Sequence, residues 1–238
     1  MKIVRTDKEL QTPVIDARLR EAGHELILLP DGIAEDKLIE QIGDADLILM
    51  CYTPITSRII EAAKKLKGIV KYGVGIDAID IPAAVDRGIP VVNIPEYAEE
   101  TVAEGAFAML IALAKKMPAI RNTMENNGWA WPEPEWRGSD IAGKTLGIVG
   151  FGKIGKSMAR MANKGFRARV ISFSPHTDST EMEKFGVIKY NSLTQLLSDS
   201  DFVSIHSVLN AETEKLIGEK ELRAMKSVSY THLRAHET

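Results

Sequence analysis

Gly150, Gly152 and Gly155 stand in the pattern G-x-G-x-x-G within T-L-G-I-V-G-F-G-K-I-G, residues 145–155. An apolar run at residues 146–149 precedes them. Residues 157–168 follow with Met158, Met161 and Phe166 at helical spacing. The order is strand, turn, helix, and in that context each glycine has a task. Gly150 permits the tight turn, Gly152 lets backbone approach a pyrophosphate, and Gly155 lets the helix pack close to the strand. The unpaired N–H groups of the new helix and the positive end of its dipole then face the phosphates. Dinucleotide binding is the expectation. The competing reading is a glycine-rich turn with no ligand.

Other positions extend this chemistry. A strand is expected at residues 169–173, and an acid at its end, about 20 residues past the glycines, would hold a ribose 2′-hydroxyl. Ser174 occupies that place, followed by Pro175 and His176, with no acid before Asp178. An acid would repel a 2′-phosphate, whereas serine does not, and His176 adds charge when protonated. The expected cofactor is therefore NAD or NADP. A later strand, residues 202–206, ends on His206, at the carboxyl edge where parallel sheets form their ligand crevice. In the N-terminal half, a strand at 68–72 runs into Gly73, Val74, Gly75, Ile76 and Asp77. Two glycines there expose N–H groups suited to a carboxylate. Alternatively they form a plain turn, with Asp77 or Asp80 capping the next helix.

The elements that must position these residues alternate. Strands are expected at 2–6, 25–29, 47–50, 68–72 and 90–93, with helices at 16–22, 36–42, 59–66 and 81–87. Such alternation specifies a parallel sheet covered by helices on both faces. The block has no G-x-G-x-x-G, so it forms a separate α/β unit. The longest periodic apolar segment, 101–117, opens on Thr101, Val102, Ala103 and Glu104 in capping-box spacing and links the two units. A continuation runs through Met124. Trp129, Trp131 and Trp136 lie in a proline-rich loop, read as packing or interface cover. Past the glycine turn, helices are expected at 181–185, at 192–197 with Asn191 as cap, and at 214–225, with a strand at 187–190.

Composition sets the outer limits. The 238 residues suffice for two modest domains, and 45% hydrophobic with 26% charged is ordinary for a globular chain. A net charge of -3 without a basic stripe argues against a nucleic-acid partner. The single cysteine, Cys51, excludes an intrachain disulfide and a multi-cysteine zinc site, so no metal is expected. After its apolar run it reads as a small buried hydrophobe. No stretch has transmembrane length, and M-K-I-V-R-T-D-K lacks a signal-peptide core, so no membrane partner and a cytoplasmic location are expected.

Four stretches together carry a family resemblance. Y-G-V-G-I-D-A-I-D (72–80), T-V-A-E (101–104), G-F-G-K-I-G (150–155) and H-S-V-L-N-A-E-T-E-K-L-I-G-E-K-E-L-R-A-M-K (206–226) resemble the D-isomer-specific 2-hydroxyacid dehydrogenases, the phosphoglycerate dehydrogenase group, in order and spacing. The resemblance implies an α/β fold of two Rossmann-like parallel-sheet domains. A flavodoxin-like substrate domain would take residues 1–98, and a dinucleotide-binding domain, incomplete, residues 99–226. The implied activity is hydride transfer between NAD(P) and a small D-2-hydroxy or 2-keto acid. By resemblance, Val74 and Gly75 would offer N–H groups to the substrate carboxylate, and Thr101 would lie near the nicotinamide. Gly152, Lys153 and Ile154 would line the pyrophosphate, and His206 would border the cofactor cleft. A homodimer is also implied, with the helix from Thr101 and the tryptophan loop as contacts.

Two departures stand out. The phosphoglycerate branch carries an arginine just after its third strand, whereas Met50, Cys51, Tyr52, Thr53 and Pro54 stand there. Another 2-hydroxy or 2-keto acid is as well suited. Beyond Lys226 the family runs into a strand, a substrate-binding Arg and a later Glu–His pair. Residues 227–238 here read S-V-S-Y-T-H-L-R-A-H-E-T and are treated as an aberrant tail, with no role for His232, Arg234 or His236. No catalytic residue is then identified. The chain is expected to bind a dinucleotide weakly with little or no turnover, and a non-catalytic dinucleotide-binding or sensing module is the alternative. With four Rossmann strands, residues 202–206 would form a bare apolar edge, and poor solubility is expected.

Overall fold

The computed structural model describes residues 1–129, 131, 133–210, 212–226 and 230–232. The chain divides into two α/β units, Met1–Tyr97 and Ala98–Thr238.

The N-terminal unit holds five parallel strands: β1 (Lys2–Arg5), β2 (Glu25–Leu28), β3 (Leu47–Met50), β4 (Gly68–Lys71) and β5 (Val91–Val92). Their order is β2-β1-β3-β4-β5. The crossovers are α1 (Pro13–Glu21), α2 (Glu35–Ile42), α3 (Ser57–Ala62) and α4 (Ile81–Asp86). Val4, Ile48 and Ile69 from the three middle strands are fully buried with Leu38, Ile42, Ile59 and Ile60 from the helices. The order reverses between β1 and β3, so a crevice opens at the carboxyl ends of those two strands.

The C-terminal unit opens on α5 (Glu99–Ala114) and α6 (Met117–Asn127), broken at Lys116, whose φ is 53°. The expected capping box at Thr101 is not formed, because the helix starts three residues earlier. Ala98 is its N-cap, and Glu99 and Glu100 place negative charge on the first turn. Five parallel strands follow in the order β10-β9-β6-β7-β8. They are β6 (Thr145–Val149), β7 (Arg169–Phe173), β8 (Val187–Tyr190), β9 (Phe202–Ile205) and β10 (Tyr230–His232). All five residues of β6 are buried, as befits a central strand covered on both faces. Leu146, Ile148, Val170 and Phe202 enter one core and Val149, Ile171 and Val203 the other, following strand alternation.

Three further expectations change. The helix after the glycine turn, α7, spans Lys153–Arg160 and passes into a π-helical turn at Met161–Gly165. Helix α8 is Ser179–Glu183, and α9 (Leu193–Asp199) is capped by Ser192, whose hydroxyl accepts the Gln195 N–H at 3.3 Å, not by Asn191. The helix expected over 214–225 is confined to α10 (Glu219–Ala224). Ahead of it, the Asn210 side chain accepts from the backbone of Glu212 and Thr213, and Lys215 sits at φ 58°, so the segment is a turn.

The expected bare edge at β9 is also overturned. Tyr230, Thr231 and His232 pair in parallel register with Phe202, Val203 and Ser204. The rest of the stretch treated as an aberrant tail, residues 227–229 and 233–238, lies outside the described residues. No helix among the described residues is long and apolar enough to cross a membrane.

Candidate functional site

Three residues expected to contact a cofactor follow directly on register-matched strand ends. Val149 of β6 stands opposite Phe173 of β7 and Ile205 of β9. Gly150, Ser174 and His206 are therefore neighbours along the carboxyl edge, stitched by Gly150 N–H to the Phe173 carbonyl (2.9 Å) and His206 N–H to the Val149 carbonyl (2.7 Å). The strand order reverses between β6 and β9, the kind of edge at which open parallel sheets bind their ligands.

Gly150 and Gly155 sit where a side chain would not fit, and Gly152 sits where one would meet nothing. Gly150 sits at φ +93°, and a Cβ there would stand 2.7 Å from the His206 carbonyl carbon. Gly155 packs so closely that an added Cβ would lie 2.4 Å from the Gly150 carbonyl oxygen. Gly152, the N-cap of α7, faces open space, with nothing within 4 Å of the position a Cβ would take. The backbone at this helix N-terminus is thus open to approach, with no side chain crowding Gly152. Lys153 and Ile154 begin that helix. The Lys153 ammonium lies 3.8 Å from Glu99, and Glu100 accepts hydrogen bonds from the Ser157 hydroxyl (2.7 Å) and Arg160 (2.5 Å). These contacts tie the first turn of α5, which carries the exposed Thr101, to α7.

The loop after β7 has polar but no acidic contacts. The Ser174 and Thr177 hydroxyls are 3.0 Å apart, and the Lys189 ammonium donates to the Thr177 carbonyl at 2.7 Å. His176 lies in the same loop, exposed. The Nε2 of His206 is 2.8 Å from the Ser204 hydroxyl.

In the N-terminal unit, Val74 and Gly75 lie half-buried in the loop after β4. Asn93 donates to the Val74 carbonyl at 2.7 Å, and the Ile94 N–H to the Gly73 carbonyl at 3.0 Å. Asp80, not Asp77, caps α4 by accepting the Ala83 N–H at 3.0 Å.

Sequence reasoning missed the residue that fills the crevice of this unit, Asp7. It is 1% exposed and sits at φ 57°, two residues past the end of β1. Its Oδ2 accepts the N–H groups of Cys51 (2.9 Å), Tyr52 (3.1 Å) and Thr53 (3.3 Å) and the Thr6 hydroxyl (2.7 Å), while Oδ1 accepts the Thr53 hydroxyl (2.9 Å). Burial pushes the Asp7 carboxyl up, but these hydrogen bonds outweigh it and hold the group below its ordinary value. An acid two residues beyond the first strand, at a switch point, was the available signal.

Comparison with known proteins gives this geometry its context. Residues 107–231 match the model of the D-isomer specific 2-hydroxyacid dehydrogenase, NAD binding domain. The chain is 41% identical over 195 residues to a glyoxylate reductase of Korarchaeum cryptofilum, covering 79% of this chain and 57% of that protein.

This chain belongs to the D-isomer-specific 2-hydroxyacid dehydrogenase family.

A second member, the D-3-phosphoglycerate dehydrogenase of Methanocaldococcus jannaschii, is 33% identical over 209 residues, which are 87% of this chain and 39% of that protein. The chain thus spans well under two thirds of both relatives. Two solved structures of the same architecture contain cofactors. An acyclic imino acid reductase in complex with NADPH and D-Arg superposes with a TM-score of 0.82 at 30% identity, covering 95% of this chain and 71% of that one. The Aquifex aeolicus D-lactate dehydrogenase, complexed with NAD and lactic acid, gives 0.82 at 26%, covering 96% and 67%. The family match runs to residue 231, past Lys226, where the resemblance of the motifs stops.

Proposed function

We propose that this chain carries the dinucleotide-binding and carboxylate-binding parts of an NAD(P)-dependent oxidoreductase acting on a small, unphosphorylated D-2-hydroxy or 2-keto acid. The observation that carries the reading is the unobstructed backbone of Gly152 at the start of α7, flanked by Gly150 and Gly155, where a side chain does not fit. These residues fit a dinucleotide: Gly152, Lys153 and Ile154 hold the pyrophosphate through helix-start N–H groups. Ser174 and His176 meet the adenosine ribose, and Thr101 and His206 border the nicotinamide. The cofactor supplies the hydride acceptor or donor. Val74 and Gly75 orient the substrate by its carboxylate. A phosphorylated acid suits the N-terminal unit poorly. No arginine follows β3, and the three N–H groups of the loop there are already taken by Asp7.

Because Ser174 replaces the usual acid, both NADH and NADPH are expected to bind, with dissociation constants within about tenfold of each other, a difference of about 1.4 kcal/mol. Fluorescence titration measures both. Ser174→Asp is expected to weaken NADPH selectively. Failure of the wild-type chain to bind either cofactor would overturn the reading. Turnover of NADH with glyoxylate separates an enzyme from a dinucleotide-binding module.

We place the homodimer implied by the family resemblance on the helix from Thr101, at its continuation α6, and on the tryptophan loop. Helix α6 has no buried residue, and Trp129 and Trp131 are 76% and 78% exposed. Sedimentation at micromolar concentration is expected to give a dimer that Met124→Glu dissociates; a monomeric wild type refutes the placement.

A further inference from the structure

Lys71 closes β4 with a charge in a buried place. The residue is 8% exposed. Its ammonium donates to the Cys51 carbonyl and lies 5.6 Å from the Tyr52 ring centroid. Among the described residues no carboxylate pairs with it. Asp7, on the amide side of Cys51, is already satisfied by three N–H groups and two hydroxyls. Removing an ammonium from water costs several kcal/mol, and one carbonyl with one aromatic ring does not replace a counter-charge.

The Lys71 stem lies against the glycine loop. A Cβ on Gly73 would stand 2.8 Å from its Cε and 3.4 Å from its Nζ. A side chain at position 73 would therefore displace the lysine. The loop itself is held by its carbonyls, Gly73 through Ile94 and Val74 through Asn93. The N–H groups of Gly73, Val74 and Gly75 donate to no described residue. A cation with no carboxylate partner among the described residues thus stands beside Gly73, the first of three consecutive residues whose N–H groups have no described acceptor. Backbone N–H groups in a glycine loop and an ammonium with donors to spare are complementary to one carboxylate.

We propose that Lys71 is a substrate-binding residue, the cation that meets the carboxylate of a small 2-oxo or 2-hydroxy acid at the Gly73–Gly75 loop. This rests on the proposed activity and adds to it a second recognition element and a preference. One ammonium balances one negative charge, so a monocarboxylate is bound in preference to a phosphorylated acid.

The test uses the 238-residue chain with oxamate as the probe, a monoanionic 2-oxo acid analogue. Titration calorimetry on the wild type, Lys71→Met and Lys71→Arg is expected to show a loss of at least about tenfold for the methionine variant, the scale of a hydrogen bond to a charged group, and substantial retention for arginine. NADH affinity is expected to stay the same in all three. In the wild type, oxamate is expected to shift the amide resonances of Gly73, Val74 and Gly75, a reading that depends on no variant. Unchanged oxamate affinity in Lys71→Met, or an absence of those shifts, overturns the proposal. If NADH binds and oxamate does not, this inference falls and the dinucleotide reading stands. Loss of NADH binding in the wild type removes the reading beneath it.

Discussion

Gly155→Ala is expected to abolish measurable NADH binding and to destabilise the C-terminal unit by about 1–3 kcal/mol, the usual cost of forcing atoms into a packed interior. The added methyl would meet the Gly150 carbonyl oxygen at 2.4 Å. That atom is backbone, at the tightest point of the turn, and no rotamer change moves it aside. Helix α7 must lift from β6, taking its first N–H groups with it. Gly152→Ala separates the two effects. Its backbone, at φ -74°, admits alanine, and its Cβ would face open space. Urea unfolding is therefore expected to be unchanged for Gly152→Ala while NADH binding weakens. A Gly155→Ala chain that binds NADH as the wild type does would remove the pyrophosphate from this turn.

Asp7→Ala is expected to cost the N-terminal unit about 3 kcal/mol or more. The substitution leaves three backbone N–H groups and two hydroxyls without their acceptor in a buried place, and each such loss is worth about 1–3 kcal/mol before relaxation. Because the folded carboxyl is held below its ordinary value, its contribution is complete above the unfolded value near 3.9. It is lost as pH falls below that and through the lower folded value. Urea midpoints between pH 7 and pH 2 should thus fall more steeply on the acid side for wild type than for Asp7→Asn. Parallel acid limbs, or a cost below about 1 kcal/mol for Asp7→Ala, would show that the carboxylate does not hold the loop.

Much of this was readable in the residues. The central strands β3, β4, β6 and β9 each contain an apolar run, because parallel strands covered on both faces favour one. The glycine turn was legible for a similar reason, since only glycine satisfies φ +93° at Gly150 and the close approach at Gly155. Helix boundaries were less so. Thr101 and Glu104 have capping spacing, yet Glu99 and Glu100 favour an earlier start and are held there by Lys153, Ser157 and Arg160. That preference arises from contacts with a helix about 55 residues away, which local spacing does not encode. Asp7 and Lys71 were passed over for the same reason. Each is a single charge next to an apolar strand, and its meaning appears only when the loop after β3 folds across it. The bare edge expected at β9 fails for the opposite reason, because three residues suffice to pair with β9 where motif spacing no longer matches.

The pairing of β10 with β9 also sets an order of events during synthesis. About 25 residues separate the two strands, so at roughly 5–20 residues per second β9 is made one to several seconds before its partner. In that interval Phe202, Val203 and Ile205 belong to a strand with one flank of amide and carbonyl groups open. The nascent chain is then open to pairing with a neighbour on the same message, and the arrival of β10 closes this window.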